Sequence, residues 1–279
     1  MESIRIKTPA KINIGLNIIN KRPDGYHNIE SIFYPVNLFD IIYIEQSDAL
    51  SIESNNSGLV KEEGNSLLKA VNIIEKEIKR KVNVKIYLKK NIPIGAGMGG
   101  GSSDGAAVIK ALSELLNLNF NKNKLEELAL QIGSDAPFFI NPITSIAQSR
   151  GEVLKEIKFN IPYPVLIINP GIHISTKWAY ENLTNYPGNQ IFSGISDFDK
   201  IDILNLKNIL TNDFEKVVFP AYPEIENIKN QLYKSGAIFA LMTGSGSTVY
   251  GLFPDSASAN KAQNLFPENY FKFIHRINN

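Results

Sequence analysis

Between residues 93 and 104 the chain reads PIGAGMGGGSSD, with five glycines in the seven positions from Gly95 to Gly101. Inside a helix or strand each glycine costs roughly 0.5–1 kcal/mol relative to alanine, so the backbone must turn there. Upstream, Val82, Val84, Ile86 and Leu88 alternate with polar neighbours, the period of a strand with one buried face. Downstream, Val108, Leu112 and Leu115 share a face, predicting a helix over residues 104–116. A glycine loop between a strand and a helix aims free backbone N–H groups and the positive end of a helix at one place, which favours a polyphosphate. The alternative is a flexible turn with a Ser or Asp helix cap. Ordering so many glycines is costly, which favours the ligand-bearing reading.

Gly95, Gly97 and Gly100 also satisfy the GxGxxG spacing of a dinucleotide fold. That fold needs an acidic residue at the end of the next strand to hold a ribose, and LLNLNFNKNKLEELA offers none. The GxxxxGK string of a Walker loop is absent as well.

The rest of the chain alternates strands with helices. Ile4 and Ile6, then Ile12, Ile14, Leu16 and Ile18, share one strand parity interrupted by Pro9, which leaves Lys11 and Asn13 together on the opposite face. RPDGYH is a turn and SIFYPVNLFDIIYIEQ resumes strand character. Asn65 or Ser66 can cap a helix with the stripe Leu67, Val71, Ile74 and Ile78, and a further helix carries Leu125, Leu128, Ala129 and Ile132 up to Gly133. The second half opens with the strand VLIIN and a polar connection from about Asn182 to Asp213. A helix bearing Ile225, Ile228 and Leu232, strands AIFALM and TVYGLF around TGSGS, a helix from Ala257 to Leu265 and a last strand YFKFIHRI follow. This order predicts an α+β protein with helices against one side of an antiparallel sheet, in two domains over 1–155 and 156–279.

Twenty-nine basic residues balance twenty-eight acidic ones, so no broad field draws the chain to nucleic acid or to a membrane, and bound anions must be gripped locally. Zero cysteines exclude a disulfide framework, a thiol nucleophile and a thiolate metal site. The start, MESIRIKTPAK, has no apolar signal core, and no apolar run is long enough for a membrane span, so a cytoplasmic protein is expected. No feature fixes an oligomeric state.

The string PIGAGMGGGSSDGAA resembles the phosphate loop of the GHMP kinase superfamily, and PAKINIGLNI and LMTGSGSTVYGLF resemble its first and third motifs, in the expected order. RPDGYHNIESIFYPVNLFD and IGSDAPFF are similar to the branch that phosphorylates a cytidylyl methylerythritol on its 2-hydroxyl in the non-mevalonate isoprenoid pathway. The resemblance runs from Lys7 to about Phe253 and departs from the family after IGSDAPFF, where INPITSIAQSRGEVL keeps Gly151 and Glu152 but lacks the usual Gly-Gly turn. It implies a two-domain GHMP kinase fold, ribosomal-S5-like in the N-terminal domain and ferredoxin-like in the C-terminal one, with ATP as co-substrate and Mg²⁺ carried on it.

The resemblance implies that Lys11 and Asp135 are the catalytic pair. Phosphoryl transfer asks mainly for charge stabilisation and alignment, which suits a lysine beside a carboxylate that accepts the hydroxyl proton. Their plain alternatives are a surface lysine and a cap of the turn before Pro137. The loop Pro93, Ile94, Gly95, Ala96, Gly97, Met98, Gly99, Gly100, Gly101, Ser102 and Ser103 is the expected ATP site, with Ser102 or Ser103 able to reach the metal. Tyr26, His27 and Phe33 form a candidate cytidine pocket, since aromatic and imidazole rings stack on a pyrimidine. Asn13 is expected to bind the substrate from the Lys11 face, and Thr243, Gly244 and Ser245 to close over phosphates or substrate. Core packing is the alternative for Tyr26 and Phe33, and a tight hairpin for Thr243 to Ser247. Trp178 and Tyr180 fall where the family's second domain approaches its substrate. Three scattered histidines build no zinc site; His173 and His275 read as surface or structural residues.

Overall fold

The computed structural model describes residues 3–61, 65–186, 188, 190–192, 195 and 197–276. By density of contact the chain forms two compact units, one of Met1–Ala10, Leu38–Ile92 and Gly99–Pro142, the other of Lys11–Asn37, Pro93–Met98 and Ile143–Asn279. Two long strands, β1 (Ser3–Lys21) and β2 (His27–Gln46), pair with each other and contribute residues to both units. Pro9 does not interrupt β1, because its fixed φ suits extended backbone and it withholds only one donor.

In the first unit, β3 (Ser51–Ser54) runs parallel to β4 (Val84–Lys89), and β4 pairs antiparallel with the end of β2. Ile42 opposite Leu88 and Ile44 opposite Ile86 make a fully buried face, as the alternation in sequence demands. The helices are α1 (Ser57–Lys61), α2 (Ser66–Ile78), α3 (Gly100–Leu115) and α4 (Lys122–Leu130). Asn65 caps α2, its Oδ1 accepting from Leu67 N at 2.9 Å, and Leu67, Ala70, Val71, Ile73 and Ile74 form the buried stripe. Helix α3 starts four residues before the expected Asp104. Gly99 takes the left-handed conformation at its N-cap, φ 71°, and Gly100 to Ser103 carry no apolar side chain that periodicity could register.

In the second unit, the start of β2 pairs with β5 (Ser145–Ser149), which pairs with β6 (Val153–Glu156). This hairpin forms without the family's Gly-Gly turn: Ser149, φ 60°, and Gly151, φ 119°, make the reversal between them. Then follow β7 (Val165–Asn169), α5 (Thr176–Asn182), α6 (Ile203–Leu206), α7 (Glu215–Ala221) and α8 (Pro223–Lys234). Strands β8 (Phe239–Met242) and β9 (Val249–Leu252), helix α9 (Ser256–Gln263) and strand β10 (Phe271–His275) complete the unit. The sheet order is β10-β7-β9-β8, every pair antiparallel, with α8 on β8 and β9 and α9 on β7 and β10. That is the ferredoxin-like arrangement expected of the C-terminal half. Part of the polar connection, at 187, 189, 193, 194 and 196, lies outside the described residues. Among the described residues no helix is long and apolar enough to cross a membrane.

Candidate active site

Strand alternation puts Lys11 and Asn13 on the face opposite Ile12 and Ile14, and the structure buries them: Lys11 is 3% exposed and Asn13 1%. Lys11 Nζ donates to Asn13 Oδ1 at 2.6 Å and stands 4.7 Å from the centre of the Phe33 ring. An ammonium so far from water needs such partners, because burying an unpaired charge is costly. Asn13 Oδ1 also accepts from Gly244 N at 3.0 Å and Thr243 Oγ1 at 3.1 Å, while Asn13 Nδ2 donates to Ser31 Oγ at 2.8 Å. The Asn13 backbone is tied too, its N–H to Thr243 Oγ1 and its carbonyl to the Tyr250 hydroxyl. The first and third motifs thus meet on one asparagine. Ser245 Oγ pairs instead with Thr176 Oγ1 at 3.0 Å.

The glycine loop contributes to each unit separately. In the second unit, Gly95 and Gly97 have φ of 63° and 75°, and Met98 O accepts from Lys11 N at 3.0 Å. A Cβ on Gly97 would lie 2.2 Å from Thr243 O, and one on Gly244 2.7 Å from Gly97 O, so the two glycine turns touch through bare backbone. Ala96 and Met98 are buried whereas Ile94 is exposed. In the first unit, Gly99 to Ser103 form the α3 N-terminus, and Ser103 Oγ is buried with no hydrogen-bond partner among the described residues.

Behind that terminus is a charged cluster which sequence reasoning missed. Lys90 Nζ lies 2.5 Å from Asp40 Oδ2 and 2.7 Å from Asp104 Oδ2, all three side chains at most 5% exposed. Asp40 Oδ1 accepts from Asn91 N and Ile92 N, and Asp104 Oδ1 from Thr8 Oγ1. Burial opposes charge on Lys90, but the two carboxylates outweigh it and hold its pKa above the lysine range. Burial pushes Asp104 up to about 6 against the pull of Lys90.

Asp135 is half-buried at the start of the 3₁₀ turn Ala136–Ile140, and its side chain makes no capping hydrogen bond to that turn. His27 is 7% exposed; its ring stacks on Tyr180 at 4.5 Å and 13°, and its Nε2 is 3.1 Å from Tyr186 Oη. Burial, reinforced by the charge of Lys21, holds His27 below the ordinary histidine pKa, so the neutral ring is favoured. Tyr26 is exposed, with the Arg150 guanidinium 4.4 Å from its ring centre. Phe33 lies six residues from His27 along β2, about 20 Å of strand, and its ring serves Lys11. Tyr186 and Arg150 carried no sequence signal, one lying in a polar connection and the other in a hairpin turn. His275 is buried, its Nδ1 accepting from Asn37 N, and His173 is exposed, its ring within 2.3 Å of where a Gly95 Cβ would sit.

Residues 65–141 match the GHMP kinases N terminal domain and residues 195–272 the GHMP kinases C terminal domain. The fold is shared with the Methanococcus jannaschii mevalonate kinase, TM-score 0.69 at 17% identity, over 100% of this chain and 99% of that one. A crystal structure of 4-(cytidine 5'-diphospho)-2C-methyl-D-erythritol kinase matches with TM-score 0.76 and 27% identity over 97% of this chain and 98% of that one. The 4-diphosphocytidyl-2-C-methyl-D-erythritol kinase of Thermodesulfovibrio yellowstonii is 40% identical over 97% of both chains. That of Caldanaerobacter subterraneus is 40% identical over 90% of this chain and 88% of its own. Identity of this order along nearly the whole length means that the chain belongs to the 4-diphosphocytidyl-2-C-methyl-D-erythritol kinase family of the GHMP kinases.

Proposed function

We propose that this protein transfers the γ-phosphoryl group of ATP to the 2-hydroxyl of 4-diphosphocytidyl-2-C-methyl-D-erythritol, in the cytoplasm, as a step of non-mevalonate isoprenoid synthesis. The observation that carries the reading is the 40% identity, over 97% of the chain, to a kinase of that name.

The residue roles follow the chemistry. Lys11, buried and oriented by Asn13, supplies positive charge as phosphoryl oxygens gain negative charge, and Asp135 accepts the hydroxyl proton. The loop from Pro93 to Ser103 holds the ATP phosphates through the backbone N–H groups of Ile94 to Ser103, and the Ser103 hydroxyl, without a partner among the described residues, supports a polar ligand there. Ser102 or Ser103 is the protein group that would reach a Mg²⁺ carried on the ATP, whose charge would offset that of the phosphates. On the acceptor side, Asn13, Thr243, Gly244 and Ser245 position the alcohol, while Tyr26 and His27 hold the cytosine. The roughly 20 Å of β2 between His27 and Phe33 supports an elongated acceptor whose recognised group is remote from its reacting hydroxyl.

A single-turnover assay with γ-labelled ATP tests the proposal. Label should appear on the cytidylyl acceptor and not on mevalonate or homoserine. Transfer to either of those in preference, or ATP binding without transfer to any alcohol, would overturn it.

A further inference from the structure

Asn212 belongs to none of the three motifs and is 2% exposed. Its Nδ2 donates to Met242 O and to Gly244 O, both at 2.8 Å, and its Oδ1 accepts from Phe214 N at 3.0 Å. All its hydrogen-bonding groups are thus committed, two of them to the carbonyls on either side of Thr243. Its neighbours anchor the segment to β1: Leu16 N donates to Thr211 O, Asp213 N to Leu16 O, and Ile18 N to Asp213 Oδ2 at 2.8 Å. Glu215 grips the same turn from its other polar group, Oε1 accepting from Met242 N at 2.9 Å.

The turn fixed in this way faces Asn13. Gly244 N and Thr243 Oγ1 both donate to Asn13 Oδ1, the oxygen that also receives Lys11 Nζ. We propose that Asn212 is a positioning residue for Lys11: by holding the carbonyls of Met242 and Gly244 it sets the turn, the turn sets Asn13 Oδ1, and that oxygen sets the ammonium. The proposal rests on the reading of Lys11 as the group that stabilises charge in phosphoryl transfer. It explains why the residue is an amide. A carboxylate of the same shape would keep the bond from Phe214 N but turn a second oxygen on two carbonyl oxygens.

The test is Asn212→Asp in wild-type and Lys11→Met backgrounds. In the wild-type background kcat should fall about 10- to 100-fold, the penalty of a displaced catalytic group, with KM for ATP within about threefold. In the Lys11→Met background the same change should alter the residual rate less than about threefold, because the group it positions is gone. An equal loss in both backgrounds, or unchanged kcat in a folded variant, would overturn the proposal. The ε-methylene NMR resonance of Lys11, identified by its loss in Lys11→Met, should move in Asn212→Asp and gives a reading independent of activity. If wild type fails to phosphorylate the cytidylyl acceptor, the proposed function falls, and this resonance alone decides the positioning role: unmoved, it overturns it. Should Asn212→Asp not fold, Asn212→Ser, which keeps one donor, replaces it in every comparison with the same outcomes.

Discussion

Lys90 stands between two carboxylates that it cannot fully neutralise, and the consequence is a pH-dependent term in stability. Asp104 has an ordinary value of 3.8 and is raised to about 6 in the fold, so the folded state favours its protonated form. Between those values folding takes up a proton, and this group's contribution to stability declines as pH rises through the window, then stays level above it. In Asp104→Asn that decline is gone. The urea midpoint of the variant minus that of wild type should therefore grow from pH 3.8 to about 6 and plateau beyond. A difference that is flat across the window would show that Asp104 does not take up that proton. For the chemistry, Asp135→Asn and Lys11→Met should each fold normally and lose about two to four orders of magnitude in kcat, the range for a positioned acid–base or charge-stabilising group. A rate within about threefold of wild type, in single-turnover kinetics, would remove either residue from its role.

At the level of elements, the contact between the two glycine turns makes a sharp demand. Gly97→Ala must hold alanine at φ 75° and place its Cβ against the Thr243 carbonyl, so one backbone has to move. Gly25 has a similar φ, 86°, but open space around it. Gly25→Ala should cost about 1–2 kcal/mol from conformation alone, and Gly97→Ala clearly more, with weakened ATP binding as well. Urea unfolding of the two variants and nucleotide titration of Gly97→Ala check this; equal costs would mean that the turns do not press together. The sequence periodicities were sufficient for β4, α2, the strands β7 to β10 and the helices α8 and α9, but not for α5, α6 and α7, which are short. The periodicities could not register the start of α3, where Gly99 to Ser103 carry no apolar side chain, nor the passage of β1 through Pro9. Lys11, Asn13 and Thr243 were legible as motif members. The pairing of His27 with Tyr180 and Tyr186, the Lys90 cluster and the role of Asn212 were not, because each joins residues far apart in sequence through polar atoms that leave no periodic trace.

Over the whole molecule, the proposed recognition and reaction sites are separated along one strand, β2, which predicts how the acceptor can be cut down. Methylerythritol phosphate without the cytidylyl group should be a very poor substrate, because remote binding energy positions the reacting hydroxyl. His27→Ala should raise KM for the cytidylyl acceptor about 5- to 150-fold, the worth of one stacking surface, and leave KM for ATP unchanged. Comparable kcat/KM for the full and truncated acceptors in wild type would refute the assignment of the base to His27. The way β1 and β2 are shared between the units has a further consequence during synthesis. The first unit has all its residues once Pro142 has left the ribosome, whereas the second needs Lys11–Asn37 and also β10, 271–275. Long-range pairing of this kind folds slowly and exposes unpaired edges meanwhile. The segment that carries Lys11 and His27 can therefore pair with β5 once Ser149 is out, but Asn13 must wait for its partners Thr243 and Gly244 until most of the described chain has been translated.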